Sequence, residues 1–330
     1  DDEDSMGSDE DMDEDLDDDD DDGDVPQFTE DWRVKHSLLS VRSLARLPNA
    51  ANAMVSVTRD GSLGVLDLEL GKLSLNVEHA NACGFEVAKA WDDNLIICGD
   101  EDGAVTGYDL RVGGKQTALN TKPKAAAGQK VSAKHAHAAS TERVGNVIID
   151  TGRYQLGQYW RNDDHADYVT DLAFSLLRNQ VAFTSADAHL SLYDARKGEF
   201  IDISGRDEDE LMSVCYLKED SALLCGTDKG PISMYKTEDI FTYSDRYKVH
   251  ECSVDHLVQL DQDTVLTAGE DGILRVVMIK PSRVIGVVGV HKDVISGVDV
   301  WRPSGATDAD DYLWANDIIG TCSHDYSVRF

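Results

Sequence analysis

Short apolar runs alternate along this chain with polar, acidic turns, and the runs come in pairs. Six pairs recur: MVSVTRDGSLGVLDLELGKL (54–73), LIICGDEDGAVTGYDLRVGG (95–114), VAFTSADAHLSLYDARKGEF (181–200), ALLCGTDKGPISMYKTEDI (222–240), TVLTAGEDGILRVVMIKPSRV (264–284) and IIGTCSHDYSVRF (318–330). A β-rich run, a tight turn holding an Asp and a second alternating run predict a β-hairpin. The turn aspartates are Asp60, Asp102, Asp187, Asp228, Asp271 and Asp325, with separations of 42, 85, 41, 43 and 54. These fit a unit of about 42 residues if 85 is one unit plus a long insertion and 54 contains an enlarged polar loop over 303–311. In three units a second acid follows seven residues later: Asp67, Asp109 and Asp194, after Leu66, Tyr108 and Tyr193. Gly61, Gly103 and Gly272 stand where such turns need positive φ.

A lone hairpin cannot bury its apolar face, so the units must stack. A repeat of about 40–45 residues with four strands is the blade of a β-propeller. Apolar runs such as 169–174 and 294–300 would supply the inner strands. Each turn Asp is expected to accept hydrogen bonds from backbone and from a His on the neighbouring loop. His36, His79, His165 and His291 are the candidate partners. An all-β sandwich with chance spacing is the alternative architecture. Six units are visible, and the sixth reads as stopping before its last strand. A seven-bladed ring needs one more unit, from either end; an incomplete ring with open edges is the other outcome.

Charge divides the chain. Residues 1–24 hold 17 of the 63 carboxylates and no Lys or Arg, so 46 acids face 31 bases in the remainder. Mutual repulsion and scarce apolar surface predict a disordered acidic arm over residues 1–31, ahead of the propeller at 32–330. Such an arm serves as a solvated tail or as a holder of basic proteins, and Ser5 and Ser8 are sites where phosphorylation would add charge. The body is acidic as well, so contact with nucleic acid has to be local. A basic insertion at about 113–146 is the place for it. Lys115, Lys122, Lys124, Lys130 and Lys134 are candidate RNA-contacting residues in a loop rich in Ala and Gly. A solvated loop without a partner, or one folded back on the acidic arm, are the other readings.

Catalytic chemistry finds no foothold. Phosphate-loop, H-E-x-x-H and G-x-S-x-G patterns are missing from the sequence. The His324–Asp325 pair sits at a repeat turn. We expect neither enzyme activity nor a metal or other cofactor, and His135 with His137 makes only a weak metal pair. Cys83, Cys98, Cys215, Cys225, Cys252 and Cys322 show no C-x-x-C spacing, which predicts reduced structural thiols. No apolar stretch reaches 18 residues, the length of a helical membrane span, and no secretory signal is visible.

The repeats resemble one family in particular. DGILRVVMIKPSRVIGVVGVHKD (271–293), FTYSDRYKVHECSVDHLV (241–258), DGSLGVLDLELGKL (60–73) and the His-x-x-Tyr-Val-x-Asp-Leu pattern of residues 165–172 are similar to the WD repeat-containing protein 55 family. The resemblance covers about residues 32–330. It implies an all-β WD-repeat propeller of the seven-bladed type that serves as a scaffold in the nucleus and nucleolus. There it would support pre-rRNA processing and large-subunit maturation, with pre-ribosomal assembly factors or ribosomal proteins as partners. One family blade ahead of residue 32 and the family's basic C-terminal extension are not found here. A second likeness concerns 96–111 and 183–196, both ending in Tyr-Asp-x-Arg. They look like the box by which some WD-repeat proteins dock on the DDB adaptor of cullin-4 ubiquitin ligases. That makes Tyr108, Asp109, Arg111, Tyr193, Asp194 and Arg196 candidate adaptor-binding residues, with both Arg reaching the adaptor, although Tyr replaces the usual Trp. Local pairing of each Arg with an acid is the competing reading.

Overall fold

The structure, a computed structural model, describes residues 39–50, 52–111, 156–301 and 317–330. The described residues all belong to one compact unit, Val34–Phe330. The acidic arm, the basic insertion with its five lysines, His36 and the 303–311 loop lie outside the described residues.

Every regular element among the described residues is a strand, and the strands form six antiparallel sheets in chain order. The first sheet holds β1 (Val41–Arg46), β2 (Ala53–Thr58), β3 (Leu63–Asp67) and β4 (Lys72–Val77). The second holds β5 (Phe85–Ala90), β6 (Leu95–Asp100), β7 (Val105–Asp109) and β8 (Gly157–Asn162), and the basic insertion falls between β7 and β8. The third holds β9 (Val169–Ser175), β10 (Gln180–Ser185), β11 (Leu190–Asp194) and β12 (Phe200–Ile203). The fourth holds β13 (Leu211–Leu217), β14 (Ala222–Thr227), β15 (Pro231–Lys236) and β16 (Asp245–Lys248). The fifth holds β17 (His256–Gln259), β18 (Thr264–Ala268), β19 (Ile273–Ile279) and β20 (Ser282–Val290). The sixth has three strands, β21 (Ile295–Trp301), β22 (Ile318–Ser323) and β23 (Val328–Arg329).

These sheets are the blades of a β-propeller. Their first strands pack in succession, β1 on β5, β5 on β9, β9 on β13, β13 on β17 and β17 on β21. Each apolar cluster sits between two neighbouring blades. Ile96 and Cys98 of β6 join Val55, Leu63 and Phe85 on one side, while Ile97, between them in sequence, joins Val169, Phe183 and Tyr193 on the other. Likewise Leu223 and Cys225 face the third blade and Leu224 the fifth. Successive side chains of a strand point to opposite faces, and here both faces are covered. That is why β6, β14 and β18 are buried at every position rather than at alternate ones. Six blades are present among the described residues; a seventh is not. At the two ends of the series Val41 and Leu44 on β1, and Trp301, Ile318, Val328 and Phe330, are exposed.

The β-hairpin turns obey a stricter period than their aspartates. The residue with positive φ between the second and third strands is Gly61, Gly103, Ala188, Gly230, Gly272 or Tyr326. Measured on these residues, the third, fourth and fifth blades repeat at 42 residues. Asp228 therefore lies one place too early: Lys229 precedes Gly230 where Asp60, Asp102, Asp187, Asp271 and Asp325 precede their turn residue. A Cβ on Gly272, at φ +68°, would lie 2.8 Å from the carbonyl oxygen of Asp293 and 2.9 Å from that of His291. Gly272→Ala is expected to destabilise the propeller by about 2–4 kcal/mol, through left-handed strain plus the clash. Urea denaturation checks this: the midpoint should fall with the slope unchanged, and an unaltered midpoint would show that the turn tolerates a side chain.

Candidate functional site

The turns between second and third strands come together at one rim with the loops that enter each blade. In the third blade the ring of His165 lies between an acid and a hydroxyl. Its Nδ1 donates to Asp187 Oδ2 at 3.2 Å, and Ser191 Oγ lies 2.7 Å from Nε2. Asp187 also accepts the amides of Ala166 at 2.8 Å and His189 at 3.0 Å. The fifth blade repeats the arrangement with His250, Asp271 at 3.0 Å and Thr267 Oγ1 at 2.8 Å. The sixth uses His291, Asp325 at 3.0 Å and Thr321 Oγ1 at 2.8 Å. With a proton on Nδ1 the ring donates to the acid and accepts from the hydroxyl in the third and sixth blades, whereas in the fifth Arg275 Nη1 also lies 2.5 Å from His250 Nδ1.

Two blades solve the same problem with arginine. In the second, Asp100 accepts from Asn81 Nδ2 at 2.8 Å, Arg161 Nη1 at 3.2 Å and the amide of Ala104 at 2.8 Å. In the fourth, Asp207 accepts from the Tyr235 hydroxyl at 2.6 Å and from Arg246, which also pairs with Asp209. Arg246 lies over the Tyr243 ring, 5.5 Å from its centroid. Both arginines come from the outer strand of their own blade, β8 or β16.

The sequence expectation paired turn aspartates with His36, His79, His165 and His291. The structure brings His165 to Asp187 and His291 to Asp325, but His79 Nδ1 meets the backbone oxygen of Asp60 at 2.9 Å, not a carboxylate. Asn81, two residues further on, takes the place expected of His79 in the second blade, and Asp100 rather than Asp102 is the acid it meets. His250 was missed. The Ser or Thr at the far side of each ring was missed too, although a hydroxyl four residues from the turn Asp was there to be read.

An acid, an imidazole and a hydroxyl in line have the composition of a nucleophilic triad. Burial decides against that role here. Ser191 and Thr267 are fully enclosed, and His165, His250, His291 and Thr321 are buried. No reacting carbonyl could approach the hydroxyl, and the arrangement is repeated in three blades. It fastens each entry loop to its blade.

The opposite rim carries the turns that follow the first and third strands. Tyr108 and Tyr193 are buried there, edge-on to Phe85 and Phe183. Asp194 accepts the amides of Arg196 at 3.0 Å and Lys197 at 2.8 Å. Asp109 holds the amide of Arg111 at 2.8 Å and also grips its guanidinium, at 3.0 Å and 2.7 Å. Arg196 is exposed and has no ion pair among the described residues. The two matching boxes thus present different surfaces: only Arg196 is free to reach outward.

No protein-family model matches the chain. Over 264 residues it is 28% identical to WD repeat-containing protein JIP5 of Malassezia globosa, covering 79% of this chain and 59% of that protein. Over 262 residues it is 24% identical to WD repeat-containing protein 55 of Homo sapiens, covering 79% and 57%. The chain is a homologue of the WD repeat-containing protein 55 family. It spans about three-fifths of the length of these relatives. The crystal structure of the computationally designed Ika8 protein superposes with a TM-score of 0.57 at 16% identity, over 88% of this chain and 70% of that one, a likeness of fold alone.

In this WD-repeat chain all six cysteines are free. Cys98, Cys215 and Cys225 are buried and Cys83 is partly so; Cys322, expected inside, is exposed because nothing described covers that face of the sixth blade. Burial pushes the thiols of Cys83 and Cys215 up to about 12, Asp100 and Asp171 adding to it, so neither is a nucleophile at neutral pH. Among the described residues no group of three or more His, Cys, Asp or Glu could hold a metal ion.

The His–Asp fastenings give stability a pH profile. Burial lowers His250, outweighing Asp271, and Arg275 lowers it further. Burial raises Asp187, but His165 and the amides of Ala166 and His189 bring it down to about 2. A depressed histidine contributes stability above its ordinary 6.5 that fades as pH falls through that value towards the native one. A depressed carboxylate contributes above 3.8 and loses it towards 2. Urea midpoints should therefore be flat between about pH 7 and 8, decline below about 6.5, and decline again below about 4. His250→Gln should reduce the first decline, to which His256, also lowered by burial, contributes, and an unchanged profile would remove His250 as a source.

Proposed function

We propose that the chain is a non-catalytic interaction scaffold in nucleolar ribosome biogenesis, acting in pre-rRNA processing and large-subunit maturation. Homology to the WD repeat-containing protein 55 family over 79% of the chain carries this reading. The structure supports the scaffold part of it. The interior is taken up by packing between blades, the acid–imidazole–hydroxyl lines are sealed, and what faces solvent is two rims of turns and the outer strands. Partners would be pre-ribosomal assembly factors or ribosomal proteins, held on those rims. Contact with pre-rRNA would use the basic insertion. Depletion with an inducible degron, followed by northern blotting of pre-rRNA, tests the proposal. Large-subunit precursors should accumulate and the tagged chain should concentrate in nucleoli. Unaltered precursor levels with an even cellular distribution would end it.

The free guanidinium of Arg196 favours a second reading, a substrate receptor on the DDB adaptor of a cullin-4 ubiquitin ligase. Since Arg111 is held by Asp109 and Tyr108 and Tyr193 are buried, the contact would rest on Arg196. Arg196→Ala should then cut recovery of the adaptor by about tenfold or more, as loss of a charge-assisted pair does, while Arg111→Ala leaves it near normal. Equal recovery with both variants would dismiss this reading.

A further inference from the structure

A cleft of about 310 Å³ opens on the rim where the fourth and fifth blades meet. Three lysines from different elements converge on it. Lys218 comes from the turn after β13, Lys236 from the end of β15 and Lys280 from the turn between β19 and β20. Their convergence runs against the composition of the chain, in which acids outnumber bases two to one. Lys218 is partly covered and lies 3.3 Å from Asp263, so its charge is answered. Lys236 and Lys280 are exposed, and neither has a carboxylate partner among the described residues. The hydroxyls of Ser221 and Ser244 stand at the same cleft.

We propose that this cleft binds a phosphorylated side chain of a partner peptide. Two unanswered ammonium groups call for a dianion. A phosphoserine carries about −1.5 to −2 at neutral pH with three acceptor oxygens, whereas a single carboxylate would answer only one lysine. The rest of the lining suits a peptide. Ala222 and Met234 provide an apolar floor for the residue's stem or its neighbour. The volume holds one or two side chains. RNA fits less well. Glu238 stands at the lip and would repel a continuous run of phosphates. Tyr235, the one aromatic residue of the lining, is buried and offers no face for a base to stack on. The site goes beyond the scaffold reading by naming the chemistry of a ligand, and it stands whichever assembly the propeller serves.

Fluorescence anisotropy on the full chain tests it, using a labelled acidic peptide with one phosphoserine, its unphosphorylated counterpart and a labelled oligouridylate. The phosphopeptide should bind about tenfold or more tighter than its counterpart. Lys236→Glu with Lys280→Glu should abolish the difference, and Lys→Gln at both positions should reduce it. Lys197→Glu with Lys229→Glu changes net charge equally at other turns and should preserve it. Circular dichroism confirms that each variant is folded. A phosphopeptide bound no tighter than its counterpart, a difference surviving both paired changes at Lys236 and Lys280, or binding of oligouridylate alone through these lysines would each overturn the assignment. The assay needs no ribosomal component, so its failure and that of the ribosome-biogenesis proposal are separate outcomes.

Discussion

No blade of this propeller can cover its own apolar surface. The second strand of each full blade is apolar on consecutive residues, and consecutive residues face opposite neighbours. Ile96 belongs to the cluster with the first blade and Ile97 to the cluster with the third. A blade removed from the series would expose both faces at once, at about 25 cal/mol for each Å² of apolar surface returned to water. Stability is therefore a property of neighbouring pairs rather than of single hairpins. The ends of the described series display the same rule in reverse. Trp301, Ile318, Val328 and Phe330 are exposed on the side of the sixth blade that no described residue covers.

Packing between faces sets the spacing of blades but leaves their connections undefined, because each chain crossing from one blade to the next must return to the same rim. The acid networks fix that return. Asp187, Asp271 and Asp325 each take both a backbone amide and a histidine, so one carboxylate satisfies groups from the turn and from the entry loop. Where the entry loop offers Asn81 or Asp207 instead, an arginine on the outer strand reaches over to complete the network. The blades thus share a mechanical requirement met by two chemistries, one built on an imidazole and one on a guanidinium.

This difference explains what could be read from the sequence. Repetition was legible because it is imposed by geometry: the positive-φ residue and the two-faced strand recur whatever else changes. The individual fastenings were less legible. A carboxylate can be satisfied by His, Asn with Arg, or Tyr with Arg, and no spacing rule covers all three. His79 and Asn81 are two residues apart, and only the path of the loop determines which one meets Asp100. Asp228 was misplaced for a related reason: its acid stands beside the turn in sequence while Lys229 occupies the position that the other blades give to Asp. The Tyr-Asp-x-Arg boxes look alike in sequence and differ in the fold, since Arg111 turns back onto Asp109 and Arg196 does not.

The two rims consequently differ in character. In an antiparallel blade the turns after the first and third strands share one end, and the turn after the second strand lies at the other with the entry loop. At the second end Asp187, Asp271 and Asp325 are occupied by hydrogen bonds from histidine and backbone. At the first end the cations are less committed: Arg196, Lys236 and Lys280 project from turns without a described carboxylate partner. For an acidic protein this asymmetry matters. Its general field repels anions, and a partner bearing negative charge can settle only where local cations outnumber local acids at short range, within about 8 Å at physiological salt. The cleft lined by Lys218, Lys236 and Lys280 meets that condition, with three lysines against Glu238 and Asp263.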